Sequence, residues 1–155
     1  MPWRRPASFP TASTPDVYKR QHVNVVSSYF CAREALPLIR AKGGGKIVMV
    51  GSGMGYRSTP GNSSYCVAKA GVAMLVRSLA MELRLERISV NELVPGPVDT
   101  PATRAERKER DIAAFTTPGE WVKQPEDVVS LALFMATLPD DGPTAQTYSL
   151  MRRER

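Results

Sequence analysis

Residues 46–53 read Lys46-Ile47-Val48-Met49-Val50-Gly51-Ser52-Gly53, a short, β-branched, nearly all-apolar run that stops at a glycine, a serine and a second glycine. A strand with one wet face alternates apolar and polar residues, whereas a continuous apolar run is the pattern of a parallel strand covered on both faces. Parallel strands are joined by crossovers, usually helices. The fold therefore depends on whether helical periodicity flanks this run on both sides.

It does. Upstream, Val25, Tyr29, Ala32, Leu36 and Ile39 recur at spacings of four and three, a helix with one buried stripe. Pro37 should kink that helix or tighten its last turn, and Gly43-Gly44-Gly45 should end it. Downstream, Asn62-Ser63-Ser64 supplies capping side chains for a helix whose Val72, Leu75, Val76, Leu79, Ala80 and Leu83 keep the same period. Residues 88–94, ISVNELV, read as a second strand stopped by Pro95-Gly96-Pro97. A charged helix is expected over 102–114, with its RAERKER run as a solvated face. A further helix opens at Pro125-Glu126-Asp127 and buries Val128, Leu131, Ala132 and Met135. Residues 146–150 are the last candidate strand. Helix, strand, helix, strand, helices, strand implies right-handed crossovers in a parallel α/β sheet.

The chain's 155 residues, 43% hydrophobic and 23% charged, suit one domain or a piece of one. Residues 1–21 hold four prolines among Ser, Thr and Arg without periodicity and read as a disordered, non-native segment. Residues 22–150 form the folded part, and 151–155 a basic tail. No apolar block long enough for a membrane span or an export signal stands out, so the cytoplasm is the expected location. The net charge of +6 sits largely at the ends: residues 21–150 carry 14 basic against 13 acidic side chains. A basic surface for nucleic acid is therefore not expected on the folded part. Cys31 and Cys66 are too few and too far apart for a disulfide framework or metal knuckle, and His22 is the only histidine.

Tyr65 and Lys69 lie four apart at the start of the second helix, so they share a face. An ammonium near a phenol favours the phenolate, which makes Tyr65 a candidate general acid and base. Alone the spacing says little. Its context says more, because Ser52 and the segment Pro95–Thr100 both follow strands, at the end where open α/β sheets carry ligands. Other readings of the same residues are open: Asn24 as a helix cap, Ser52 as a loop hydroxyl bonded to backbone, Pro95-Gly96 as a simple strand stop.

Asn24 in HVNVVSSYF, Ser52 in IVMVGSG thirteen residues before Tyr65, Tyr65 and Lys69 in YCVAK, and PGPVDT, taken in this order, resemble the short-chain dehydrogenases/reductases. The similarity extends through RISVNELVPG and GPTAQTYSL, over about residues 22–150. The resemblance implies the C-terminal part of a doubly wound, Rossmann-like parallel sheet of about three strands. It implies NAD(P)-dependent hydride transfer with a carbonyl/alcohol substrate, with NADP slightly favoured over NAD. In that family pattern Tyr65 exchanges the proton, and Lys69 holds the nicotinamide ribose and depresses the Tyr65 pKa. Ser52 hydrogen-bonds the substrate oxygen, and Asn24 supports a proton-relaying water. Pro95, Gly96, Val98 and Thr100 line the nicotinamide. Ser27 stands where a glycine is common. The resemblance also implies a homo-oligomer paired through the helices bearing Asn24 and Tyr65.

One departure is large. The family's glycine-rich turn after its first strand, which holds the dinucleotide pyrophosphate on a helix N-terminus, has no counterpart here. The only glycine cluster, AKGGGK, follows a helix and leads into a strand. The expectation is a truncated form with impaired cofactor binding, or else a fragment that acts only as a dimerisation module.

Overall fold

The computed structural model describes residues 14–58, 61–109 and 122–151. Three parallel strands, β1 (Gly45–Val50), β2 (Ile88–Val94) and β3 (Thr147–Ser149), form one sheet in the order β1-β2-β3. Gly45 stands opposite Ile88 and Val50 opposite Leu93, while Glu92 stands opposite Thr147. The first two strands fall where their apolar runs place them.

Every residue of β2 is buried, including Ser89, Asn91 and Glu92. Burying a polar group in a dry strand is unfavourable unless it is hydrogen-bonded. The segment leading into β3 does this for Asn91, whose Nδ2 donates to the Pro143 carbonyl at 2.8 Å and whose Oδ1 accepts from Gln146 N at 2.9 Å.

β1 differs from the expectation of a strand covered on both faces. Val48 is 38% and Val50 58% exposed, and β1 pairs with no strand but β2 among the described residues. A continuous apolar run reports the strand's preference, and neighbours decide whether both faces are covered.

Helices α2 (Ser27–Ala41) and α3 (Ser63–Leu83) pack on one side of the sheet. Ala32, Val72, Val76, Leu79, Ala80 and Leu83 close there over Met49, Ile88 and Val90. Of the expected α2 stripe, Val25, Leu36 and Ile39 join the rim of this core, but Tyr29 is 47% exposed beside Phe30. Pro37 does not end α2, which runs four residues further. Gly43 and Gly44 then turn the chain with φ of +81° and +147°. A Cβ on Gly44 would lie 2.8 Å from the Arg87 carbonyl oxygen, so this turn also needs a residue without a side chain.

Residues 14–21 correct the expectation of disorder over 1–21. They form α1 (Thr14–Gln21), which continues through a π-helical turn at His22–Val26 into α2. Extending an existing helix is far easier than starting one, and α1 rests against α3, so weak local periodicity is overridden. Residues 1–13 lie outside the described residues.

Asn62 occupies the cap position of α3 without the expected side-chain capping bond. α4 (Pro101–Glu109) covers the first part of the expected 102–114 helix, and residues 110–121 lie outside the described ones. α5 (Glu126–Thr137) packs on the other side of the sheet, with Met135 buried and Phe134 edge-on to Tyr148 of β3 at 5.8 Å. Pro125 is its cap residue, and Asp127 accepts from Gln124 N at 2.7 Å.

Candidate active site

Parallel strands deliver their C-terminal ends to one edge, and here that edge collects three connections. β1 runs into Gly51-Ser52 and a 3-10 turn at Gly53–Gly55; β2 runs into Pro95–Thr100; β3 ends at Ser149. Gly51 N donates to Leu93 O at 2.9 Å, and Leu150 N to Val94 O at 3.0 Å, so the exits leave side by side.

Ser52 is extended (φ −158°, ψ 147°) and opens the 3-10 turn, its Oγ accepting from Met54 N at 3.2 Å. That is the backbone bond of the alternative reading, and it leaves the hydroxyl its proton to donate. The turn presses on α3. A Cβ on Gly55 would lie 2.9 Å from the backbone carbon and oxygen of Lys69, a distance that only glycine allows.

Lys69 reaches the other way along the same contact. Its Nζ donates to the Val50 carbonyl at 3.0 Å, the last residue of β1. Burial lowers its pKa below the usual 10.5, with the charge of Glu92 acting in the opposite sense. The ammonium stands 5.9 Å from the centre of the Tyr65 ring, and the Arg20 guanidinium carbon is at 5.8 Å. Tyr65 is half-buried. Ser52, Tyr65 and Lys69, thirteen and four residues apart in sequence, are thus held around the end of one strand.

Asn24 lies within the π turn, in the middle of a continuous helix, so it is not a cap. Its Nδ2 donates to Arg20 O at 2.9 Å. A π turn shifts the backbone ladder, and two hydroxyls take the carbonyls concerned: Ser27 Oγ donates to Val23 O at 2.5 Å and Ser28 Oγ to Asn24 O at 2.6 Å. Ser27, read only as a substituted glycine, has this local role. The turn abuts α3 closely: a Cβ on Gly71 would come within 2.9 Å of Val25 Cγ2.

Pro95, Gly96, Val98 and Thr100 are half-buried on the neighbouring exit, with Gly96 at φ +73°. Val98 bridges to Lys123. Thr100 has a structural task that was not foreseen: its Oγ1 accepts from Thr103 N at 3.2 Å, and Thr103 Oγ1 accepts from Thr100 N at 2.8 Å. The pair caps α4 reciprocally, and the T-x-x-T spacing was the available signal.

The glycines of GSGMG do not form a phosphate cradle. Their open sides are filled from within the chain, Gly51 by Glu92, Gly53 by Met151 and Gly55 by Lys69. Residues suited to a ribose and a flat ring are present at this edge, whereas a turn suited to a pyrophosphate is absent among the described residues. Glu92 itself, buried beside Gly51, was passed over in the sequence. The signal was a carboxylate in the middle of an otherwise dry strand.

A family model described as Enoyl-(Acyl carrier protein) reductase matches residues 4–149, reaching into the first 21 residues. A short-chain type dehydrogenase/reductase of Picea abies is 35% identical over 122 residues, which is 77% of this chain and 44% of that protein. A solved structure of a 3-oxoacyl-[acyl-carrier protein] reductase with bound NAD from Brucella melitensis superposes with a TM-score of 0.73 at 25% identity, over 90% of this chain and 52% of that one. A solved structure of ElxO with NADP bound gives a TM-score of 0.79 at 24% identity, over 90% of this chain and 58% of that one, a likeness of fold. The chain spans about half the length of the curated relatives it matches.

Proposed function

Because the chain belongs to the short-chain dehydrogenase/reductase family, we propose that it carries the substrate-side half of a nicotinamide-dependent oxidoreductase centre acting on a carbonyl/alcohol pair. The observation that carries the reading is Lys69, whose ammonium ties the end of β1 to the Tyr65 ring while its own backbone supports the Ser52 turn. NAD or NADP, when bound, supplies the hydride acceptor or donor. The class of cofactor is supported by the Brucella melitensis reductase solved with bound NAD.

Each residue then has a definable task. Tyr65 Oη gives a proton to, or takes one from, the substrate oxygen. Ser52 Oγ, with its proton free to donate, stabilises charge developing on that oxygen. Lys69 holds ribose hydroxyls and keeps positive charge near the phenol. Asn24 supports a water beside Lys69, and Pro95, Gly96, Val98 and Thr100 face the nicotinamide. The substrate is a small molecule rather than nucleic acid or a membrane, and the site of action is the cytoplasm.

With no pyrophosphate cradle among the described residues, this chain by itself should bind the dinucleotide weakly. Titration of NADH and NADPH fluorescence is expected to show no saturable binding at micromolar chain, and tight binding would overturn this point. Supplying the glycine-rich half of a longer relative should restore turnover, and Tyr65→Phe should then lower it by about 10²–10⁴-fold. Turnover indifferent to Tyr65→Phe would remove Tyr65 from the chemistry.

A second reading is a non-catalytic pairing module that associates through α2 and the helix bearing Tyr65. Exposed Phe30 on α2 and exposed Val67, Met74 and Met81 on α3 favour it. Phe30→Glu with Met74→Glu should then convert dimers to monomers in sedimentation, without reference to turnover.

A further inference from the structure

Among the described residues Glu92 is the one fully buried carboxylate, at 1% exposure. Met49, Glu92 and Thr147 are register partners across the three strands, so their side chains stand on the same face of the sheet. A carboxylate in such a place is unfavourable unless its oxygens are hydrogen-bonded. Glu92 Oε2 accepts from the Tyr56 hydroxyl and, at 2.9 Å, from Thr147 Oγ1. Tyr56 Oη and Thr147 Oγ1 are themselves 2.9 Å apart, which closes a triangle of oxygens. Burial, and after it the Glu92 hydrogen bond, raises the Tyr56 pKa above its usual 10.0, so the phenol remains a donor.

The other carboxylate oxygen, Oε1, has no hydrogen-bond partner and lies against Gly51, where a Cβ would stand 1.7 Å from it. Gly51 immediately precedes Ser52, and Tyr56 immediately follows the turn that Ser52 opens. One side chain therefore touches both ends of the segment that carries the Ser52 hydroxyl.

We propose that Glu92 is a positioning residue: through Tyr56 behind the turn and Gly51 in front of it, it clamps the Ser52 segment to the centre of the sheet. The clamp fixes where Ser52 stands relative to Lys69, and Thr147 brings the last strand into the same assembly. Its meaning for catalysis rests on the reading of Ser52 given above. The clamp itself needs neither substrate nor cofactor to be measured.

The test uses the full chain and amide hydrogen exchange by NMR. Met54, Gly55 and Tyr56 donate their amides to Ser52 Oγ, Ser52 O and Gly53 O, so they report the turn, and Val72 and Val76 report α3. Tyr56→Phe keeps the ring and removes the hydroxyl. It is expected to speed exchange at the turn about tenfold, the loss associated with one hydrogen bond, with Val72 and Val76 unchanged. Glu92→Gln keeps an oxygen that can accept from Tyr56 and should speed turn exchange less. Unchanged exchange in Tyr56→Phe would overturn the clamp, and so would an equal rise in α3, which would make the bond a matter of general stability. If Glu92→Gln does not fold, Tyr56→Phe, at a half-exposed side chain, decides alone. The role of Ser52 is read separately, by turnover of Ser52→Ala in the complemented enzyme, so either idea can fail without the other.

Discussion

Lys69 shows how much of a side chain's chemistry is decided by its surroundings. The four-residue spacing to Tyr65 was legible in the sequence because a helix has a fixed pitch. The Val50 carbonyl that its Nζ holds was not, since that bond depends on where β1 ends relative to α3. Burial lowers the Lys69 pKa from 10.5, and the nearby negative charge of Glu92 opposes the shift. Replacing Glu92 by Gln removes that opposition, so the Lys69 pKa is expected to fall further. An NMR pH titration of ¹⁵N-lysine-labelled protein would read it, and an unchanged or higher value would mean that the carboxylate does not act on the ammonium. Asn24 teaches the same lesson from the other side. Cap and site readings were both open to the sequence, and the π turn that places it within a continuous helix removed the first.

At the scale of elements, one ion pair ties α2 to the turn between α3 and β2, and a second ties the segment ahead of β3 to β1. Arg40, in the last turn of α2, holds Glu86 beyond α3 at 2.5 and 2.8 Å, and Lys46 of β1 pairs with Asp140 ahead of β3. Arg40 keeps the Glu86 carboxyl below its ordinary 4.5, and Lys46 keeps that of Asp140 below 3.8. A carboxyl with a depressed folded-state pKa contributes stability that is present above its ordinary value and lost as pH falls through the folded value. Both pairs are solvent-accessible, so each contribution is small. The urea midpoint is therefore expected to drop between about pH 5 and about pH 3, and Glu86→Gln should make that drop shallower. Equal slopes in the two proteins would show that the Arg40–Glu86 pair adds nothing. These pairs join residues 46 and 94 positions apart, a separation at which local sequence patterns carry no information. The helices and strands they connect were readable because each buries one face or stripe at a constant period.

Over the whole molecule, the outer edge of β1 is the exposed flank. No strand pairs with it among the described residues, and Val48 and Val50 on β1, with Val129, Leu133 and Phe134 on α5, are all at least 38% exposed. An unpaired apolar edge is a template for another chain. Light scattering is expected to rise with protein concentration, and Val48→Lys with Val50→Lys should suppress the rise. A monodisperse wild-type chain at high concentration would show that the edge is inert. The sequence by itself determined the order of helices and strands, the bounds of β1 and β2 to within one residue, the parallel sheet, the strand-end placement of Ser52 and of Pro95–Thr100, and the shared helix face of Tyr65 and Lys69. All of these follow from local periodicity and from turn residues that act on their immediate neighbours. Only the tertiary structure decided that residues 14–21 are helical, that β1 is covered on one side, that Asn24 sits in a π turn and that Glu92 joins three strands to the Ser52 segment. Each of these is set by neighbours distant in the chain, whose approach a one-dimensional pattern does not encode.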